Sequence, residues 1–196
     1  MADKPVVYLL HGDDEYAIAQ FIANMEAKMG DPSTAGMNIT HFKSGNLPFD
    51  ELTAVAQSMP FLAERRLVVL HDPLANMQSA KVRQRFKDIL ECIPATTALV
   101  IVINRPLVAA RDKRHGKQHW LQKWGQAQGE RTFQKEFLMA RGPELVRWIQ
   151  SRARDEGGEI SPDGAAVLAS LVDDDPRLAA QEISKLLAFV NYSRPV

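Results

Sequence analysis

One cysteine, Cys92, stands in 196 residues. It cannot build an internal disulfide framework or anchor a zinc site by itself, and such scarcity fits a reducing cytoplasm. Net charge is lacking too, because 24 Lys+Arg balance 24 Asp+Glu. A bulk electrostatic footprint for nucleic acid is therefore missing, which leaves only a local basic patch to consider. Long hydrophobic runs are absent. The N-terminal "MADKPVVYLLHGDD" carries too short an apolar run for a signal peptide, and no segment approaches the roughly 20 apolar residues that span a bilayer. The composition, 45% hydrophobic and 24% charged, is that of an ordinary globular protein, expected in the cytoplasm and away from membranes.

Glycine is scarce where it would matter most. "VVYLLHGDDEYAIAQFI", Val6 to Ile22, has the layout of the first strand, loop and helix of a nucleotide-binding domain. A phosphate loop needs several glycines and a lysine, so that backbone N–H groups and a cation meet the anion. This loop reads His11-Gly12-Asp13-Asp14-Glu15. Its carboxylates would repel phosphate, whereas they suit the positive end of the following helix.

What is present is an alternation of strand-length apolar runs and helix-period segments. Strands are expected at Val6–Leu10, Ile39–Phe42, Leu67–Leu70, Ala98–Asn104 and around Arg131–Gln134. Helices are expected over Asp14–Met29, Pro48–Gln57, Met77–Ile93 and Gln118–Gln128, and "GDPSTAG" reads as a turn. The inward faces are Ile18, Phe21, Ile22, Met25 and Met29 in the first helix, Phe49, Leu52, Val55 and Ala56 in the second, and Val82, Phe86, Ile89 and Leu90 in the third. Continuous apolar strands separated by helices imply an α/β fold, a parallel sheet with helices on both faces. Beyond Arg141 no strand pattern appears. Three helices follow there. The first turns Leu145, Trp148 and Ile149 inward, and the last turns Leu178, Ile183, Leu186, Leu187 and Val190 inward. Ser161-Pro162 and Asp175-Pro176 supply N-caps followed by proline at the first helical position. The expected division is residues 1–140, α/β, and 141–196, a small helical domain.

A catalytic constellation is not legible. Among five histidines only His115 and His119 are spaced like metal ligands, and Gly116 lies between them with no thiol near in sequence. No metal and no cofactor are expected. His71-Asp72 ends a strand where a nucleotide hydrolase places Mg²⁺-binding acids, but Pro73 and Leu74 follow. Two stretches remain. In "SMPFLAERRLVVL", Met59, Pro60, Phe61 and Leu62 form an apolar loop closed by Arg65 and Arg66. Loops are normally polar, so this one is either tucked onto its own core, the ordinary outcome, or presented to a partner. In "NRPLVAARDKRHGKQHWLQKW", Arg105, Arg111, Lys113, Arg114, Lys117 and Lys123 lie near Trp120 and Trp124. Such a loop over residues 105–123 can bind single-stranded nucleic acid. The competing reading makes the two tryptophans the core face of a helix.

Taken together, "VYLLHGDDEYAI", "SMPFLAERRLVVL", "ALVIVIN" with its basic loop, and "VRWIQSRARDEGGEISPDGAAVLASLVDDDPRLAAQEISKLLAFV" resemble, in order and spacing, the delta subunits of the bacterial DNA polymerase III clamp loader. The resemblance implies an AAA+-like module, a RecA-like α/β domain with a degenerate nucleotide site and a helical lid domain. It implies a non-catalytic role in DNA replication: binding the beta sliding clamp and favouring ring opening, while other loader subunits handle ATP. The clamp-binding tip maps onto Met59, Pro60, Phe61 and Leu62, which shifts the reading of that loop to presentation. Phe61-Leu62 stands where the family often has leucine then phenylalanine. Arg65 and Arg66, and Arg111, Lys113, Arg114 and Lys117, become rim or DNA contacts, with primer–template DNA as a further partner. The family's helical collar domain, which joins the other loader subunits, is expected to be missing from a chain ending "NYSRPV". Contact with the clamp without assembly of a stable loader then follows.

Overall fold

A computed structural model describes residues 4–30, 32–43, 45, 47–107, 118–173 and 175–196. Two compact units divide the chain, Met1–Phe137 and Leu138–Val196.

In the first unit, strands β1 (Val7–Gly12), β2 (Ile39–Phe42), β3 (Arg66–His71), β4 (Thr97–Ile103) and β5 (Thr132–Phe137) alternate with helices α1 (Glu15–Glu26), α2 (Pro32–Asn38), α3 (Phe49–Gln57), α4 (Ala80–Glu91) and α5 (Trp120–Ala127). The sheet runs in the order β2-β3-β4-β1-β5, and every pairing is parallel. Strand β4 is buried over its whole length, as its unbroken apolar run requires of a central strand covered on both faces. Because side chains alternate along a strand, each face gathers its own core. Leu9, Val68, Leu70, Leu99, Ile101 and Ile103 pack with Leu52, Phe86, Leu90 and Leu121 on the α3–α4–α5 side. Leu10, Leu67, Val69, Val100 and Val102 pack with Ile18 and Ile22 of α1 on the other. The remaining expected α1 positions, Phe21, Met25 and Met29, lie partly buried against that second core.

The structure corrects some local expectations. "GDPSTAG" contributes to α2 rather than to a turn. Proline is well tolerated in a helix's first turn, where its missing N–H has no partner to lose. Helix α4 begins at Ala80 and not near Met77, because Ser79 caps it, its Oγ accepting from the Val82 N–H at 3.2 Å. Met77 stays buried outside the helix, following a 3-10 turn over Pro73–Asn76.

The second unit holds α6 (Pro143–Asp155), α7 (Pro162–Leu171) and α8 (Pro176–Phe189). Leu145, Ile149, Ile160, Leu168, Ile183 and Leu187 form its core, with Trp148 and Leu186 against it. Both caps form: Ser161 accepts from the Gly164 N–H, and Asp175 from the Arg177 and Leu178 N–H groups. Leu178 departs from its expected inward position and is exposed. With the helix starting at Pro176, the buried stripe is Ala179, Ala180, Ile183 and Leu187, and Leu178 falls about 100° away from Ala179 around the helix.

Candidate protein-docking site

The loop after β1 is filled by the protein's own groups. Gly12 has φ +142°, and a Cβ there would stand 1.7 Å from the Phe137 carbonyl oxygen at the end of β5. The Asp14 N–H donates to that same carbonyl at 3.2 Å. The Asp14 carboxylate caps α1, accepting from the Ala17 N–H at 2.9 Å. A carboxylate thus occupies the helix N-terminus that a phosphate would need. Burial raises the Asp14 pKa above the usual carboxylate range, opposed by the backbone hydrogen bonds it accepts. His11 is buried beside the loop, its Nε2 3.2 Å from Gln122 Nε2 and its Nδ1 3.6 Å from Glu136. Burial lowers its pKa, and Glu136 opposes that shift.

The ends of β2 and β3 place His41 and His71 together, with Nδ1 and Nε2 3.2 Å apart, and His41 Nε2 lies 3.1 Å from Glu26. Burial is the main cause of a lowered His71 pKa, His41 adds to it and Glu26 opposes it. Asp72 pairs with Arg105 Nη1 at 3.0 Å, so this end of the basic segment is tied to an acid of its own chain. His119 caps α5 in a reciprocal box with Gln122, and its pKa is lowered by burial first, then by Arg83, Arg105 and His11. Among the described residues no group of three or more His, Cys, Asp or Glu could hold a metal ion. Arg111, Lys113, Arg114, Lys117 and His115 lie outside the described residues. The tryptophans of that stretch face the core. Trp124 is buried and donates through Nε1 to Glu91 Oε1 at 3.1 Å, and Trp120 packs partly buried against the same core.

The apolar loop between α3 and β3 is not tucked away. Met59 is 84% exposed, Leu62 79% and Phe61 50%, while Pro60 is half-buried. Leu62 sits at φ +49°, the left-handed region that branched and bulky residues avoid. The loop is nevertheless held at several points. Asn38, at the end of α2, is fully buried. Its Oδ1 accepts from the Phe61 N–H at 2.6 Å, and its Nδ2 donates to the Phe61 carbonyl at 2.7 Å. Arg66 Nη2 reaches the Met59 carbonyl at 3.4 Å. Arg65 is placed inward: its Nη2 donates to the Pro5 and Thr97 carbonyls, both at 2.8 Å. It ties the base of the loop to the starts of β1 and β4 rather than reaching out beside the tip. Met37, next to Asn38 in the chain, is 60% exposed. Neither Met37 nor Asn38 stands out in the sequence, because the contact that brings α2 to the loop spans 23 residues.

A parallel sheet of this order, followed by a helical unit, defines an AAA+-like fold. The solved structure of the DNA clamp loader delta protein of Bacillus subtilis shares it, with a TM-score of 0.75 at 22% identity over 98% of this chain and 56% of that one. The DNA polymerase III gamma subunit-related protein of Thermotoga maritima matches with a TM-score of 0.52 at 15% identity, over 93% of this chain and 54% of that one. In sequence, DNA polymerase III subunit delta of Bacillus subtilis is 24% identical over 187 residues, 94% of this chain and 52% of the relative. Residues 8–124 match the family described as DNA polymerase III, delta subunit. The chain belongs to that family. It spans about half the length of the relatives it matches. No helix among the described residues is long and apolar enough to cross a membrane.

Proposed function

We propose that this chain is the clamp-contacting part of a clamp-loader delta subunit, acting in DNA replication by docking Met59, Pro60, Phe61 and Leu62 on the beta sliding clamp and favouring ring opening. The observation that carries this reading is an exposed apolar tip held in shape by buried and half-buried polar side chains of the family-matched unit. Isolated exposed apolar residues are ordinary, but several on one proline-stiffened loop fit a docking element.

The tip's size also bounds its strength. Burying the exposed parts of Met59, Phe61 and Leu62 is worth about 3–6 kcal/mol. Association costs an estimated 4–15 kcal/mol. Neighbouring surface must therefore contribute, and exposed Met37 is the apolar group we assign to it. The chain works without nucleotide of its own. The loop after β1 is packed against Phe137 and its helix end is capped by Asp14, which suits a subunit that leaves ATP to its partners in the loader.

The test is ring opening. A clamp from the source organism carries a donor and an acceptor fluorophore across one subunit interface. Energy transfer should fall in a saturable way as this chain is added without ATP, and should stay high with a Phe61→Ala/Leu62→Ala chain. An unchanged signal with the folded wild-type chain would remove the ring-opening part of the proposal.

A further inference from the structure

The contact between Asn38 and Phe61 has the form of a strand pairing made by a side chain. Within a sheet, one peptide group accepts from a neighbour's N–H while another donates to its C=O. Here a single carboxamide does both, accepting from the Phe61 N–H at 2.6 Å and donating to the Phe61 carbonyl at 2.7 Å. No other residue type of this size offers an acceptor and a donor side by side in one plane. Asn38 is 0% exposed and also reaches the Thr34 carbonyl at 3.4 Å, so it stands on α2 as a fixed post. Phe61 beside it is half exposed, and Leu62 directly after it holds a left-handed backbone and is 79% exposed. An unsupported loop would relax from that conformation, because the left-handed region is unfavourable for a leucine.

We infer that Asn38 is the positioning residue of the docking tip: by fixing both backbone groups of Phe61 it holds the tip in the shape that docks, so that binding does not have to order the loop. This rests on the reading of the tip as the clamp-binding element. The quantity it controls is the fraction of molecules whose tip is ready to dock, and the apparent Kd rises as the inverse of that fraction. Asn38 touches no partner itself. Removing its amide should therefore weaken docking only through the tip it holds, Met59 to Leu62.

Two substitutions separate this from simple stabilisation. Asn38→Leu keeps the branching of the side chain, in a larger volume, and removes both hydrogen bonds. Asn38→Asp keeps the shape and the acceptor but cannot donate to the Phe61 carbonyl while ionised. Each chain is first checked for cooperative thermal unfolding and then titrated with the purified sliding clamp of the source organism. The folded variants should bind about tenfold or more weakly, the scale set by losing one or two backbone-to-amide bonds that preorganise a loop. In a Phe61→Ala/Leu62→Ala background the same changes should cost much less than in the wild type, a coupling that a general loss of stability would not produce. The Asp variant should recover towards wild type as pH falls and its buried carboxyl takes up a proton, which restores a donor. Amide exchange at Phe61 and Leu62 should accelerate in both variants while β3 and β4 stay protected. Wild-type affinity in both variants, or an equal loss in the tip-truncated background, would overturn the assignment of Asn38 alone. No binding by the folded wild-type chain would overturn the docking reading together with it.

Discussion

Leu62 offers a perturbation whose effects on folding and docking have opposite signs. The residue is 79% exposed and its φ is +49°. Replacing it with glycine removes a left-handed penalty of about 1–2 kcal/mol. Glycine's extra freedom in the unfolded chain takes back about 0.5–1 kcal/mol, so the net expectation is a gain of about 0.5–1 kcal/mol. For a unit of this size that gain raises Tm by about 2–4 °C. The docking side runs the other way. Burying the exposed part of a leucine is worth about 1–2 kcal/mol, or about 5–30-fold in Kd. Leu62→Asn is the companion change, since asparagine tolerates the same backbone but brings no apolar surface. The assay pairs thermal unfolding with titration of the clamp on the same protein samples. A more stable chain that docks more weakly is the expected result. A loss of stability, or unchanged affinity in both variants, would refute the reasoning that Leu62 is held strained for contact.

Other consequences concern the fold. Gly12→Ala places a Cβ 1.7 Å from the Phe137 carbonyl oxygen at a φ of +142°, so it should cost at least about 3 kcal/mol by urea unfolding. Asp175→Ala removes the cap of α8 and should destabilise the helical unit by about 1 kcal/mol. His11, His71 and His119 all titrate below the ordinary imidazole range, chiefly through burial. Between each lowered value and the unfolded value of about 6.5 the unfolded chain binds more protons, so stability rises with pH across that window and is lost as pH falls through it. The urea midpoint should drop as pH falls below the unfolded imidazole value of about 6.5, and a flat profile there would contradict that linkage. Asp14, whose pKa is raised, contributes with the opposite sign nearer pH 4.

The centre of the sheet was legible because β3 and β4 are buried on both faces. Leu67–Leu70 and Ala98–Ile103 read as unbroken apolar runs, and the structure buries every residue of both. Ser161 and Asp175 were legible as caps because capping is a local matter of a side-chain oxygen and the N–H groups two or three residues on. Helix α2 was not, since a run rich in Gly, Pro and Ser carries turn chemistry whose outcome depends on tertiary contacts. The exposure of Met59, Phe61 and Leu62 is likewise not a property of their own sequence. An apolar loop of the same composition could fold back on the core, and what holds it out includes Asn38, on a helix 23 residues away. Arg65 shows the same limit: its neighbours in sequence suggest a surface cation, but its partners Pro5 and Thr97 are brought to it by strand pairing.

Docking of the apolar tip on the sliding clamp is decided by an equilibrium titration. The wild-type chain and a Phe61→Ala/Leu62→Ala chain, both shown to be folded, are titrated with the clamp of the source organism. Saturable binding by the wild type is expected, with a loss on the order of 2 kcal/mol or more in the double variant, the scale of a buried anchor. No binding by the wild type, or equal affinity for the two chains, would contradict it.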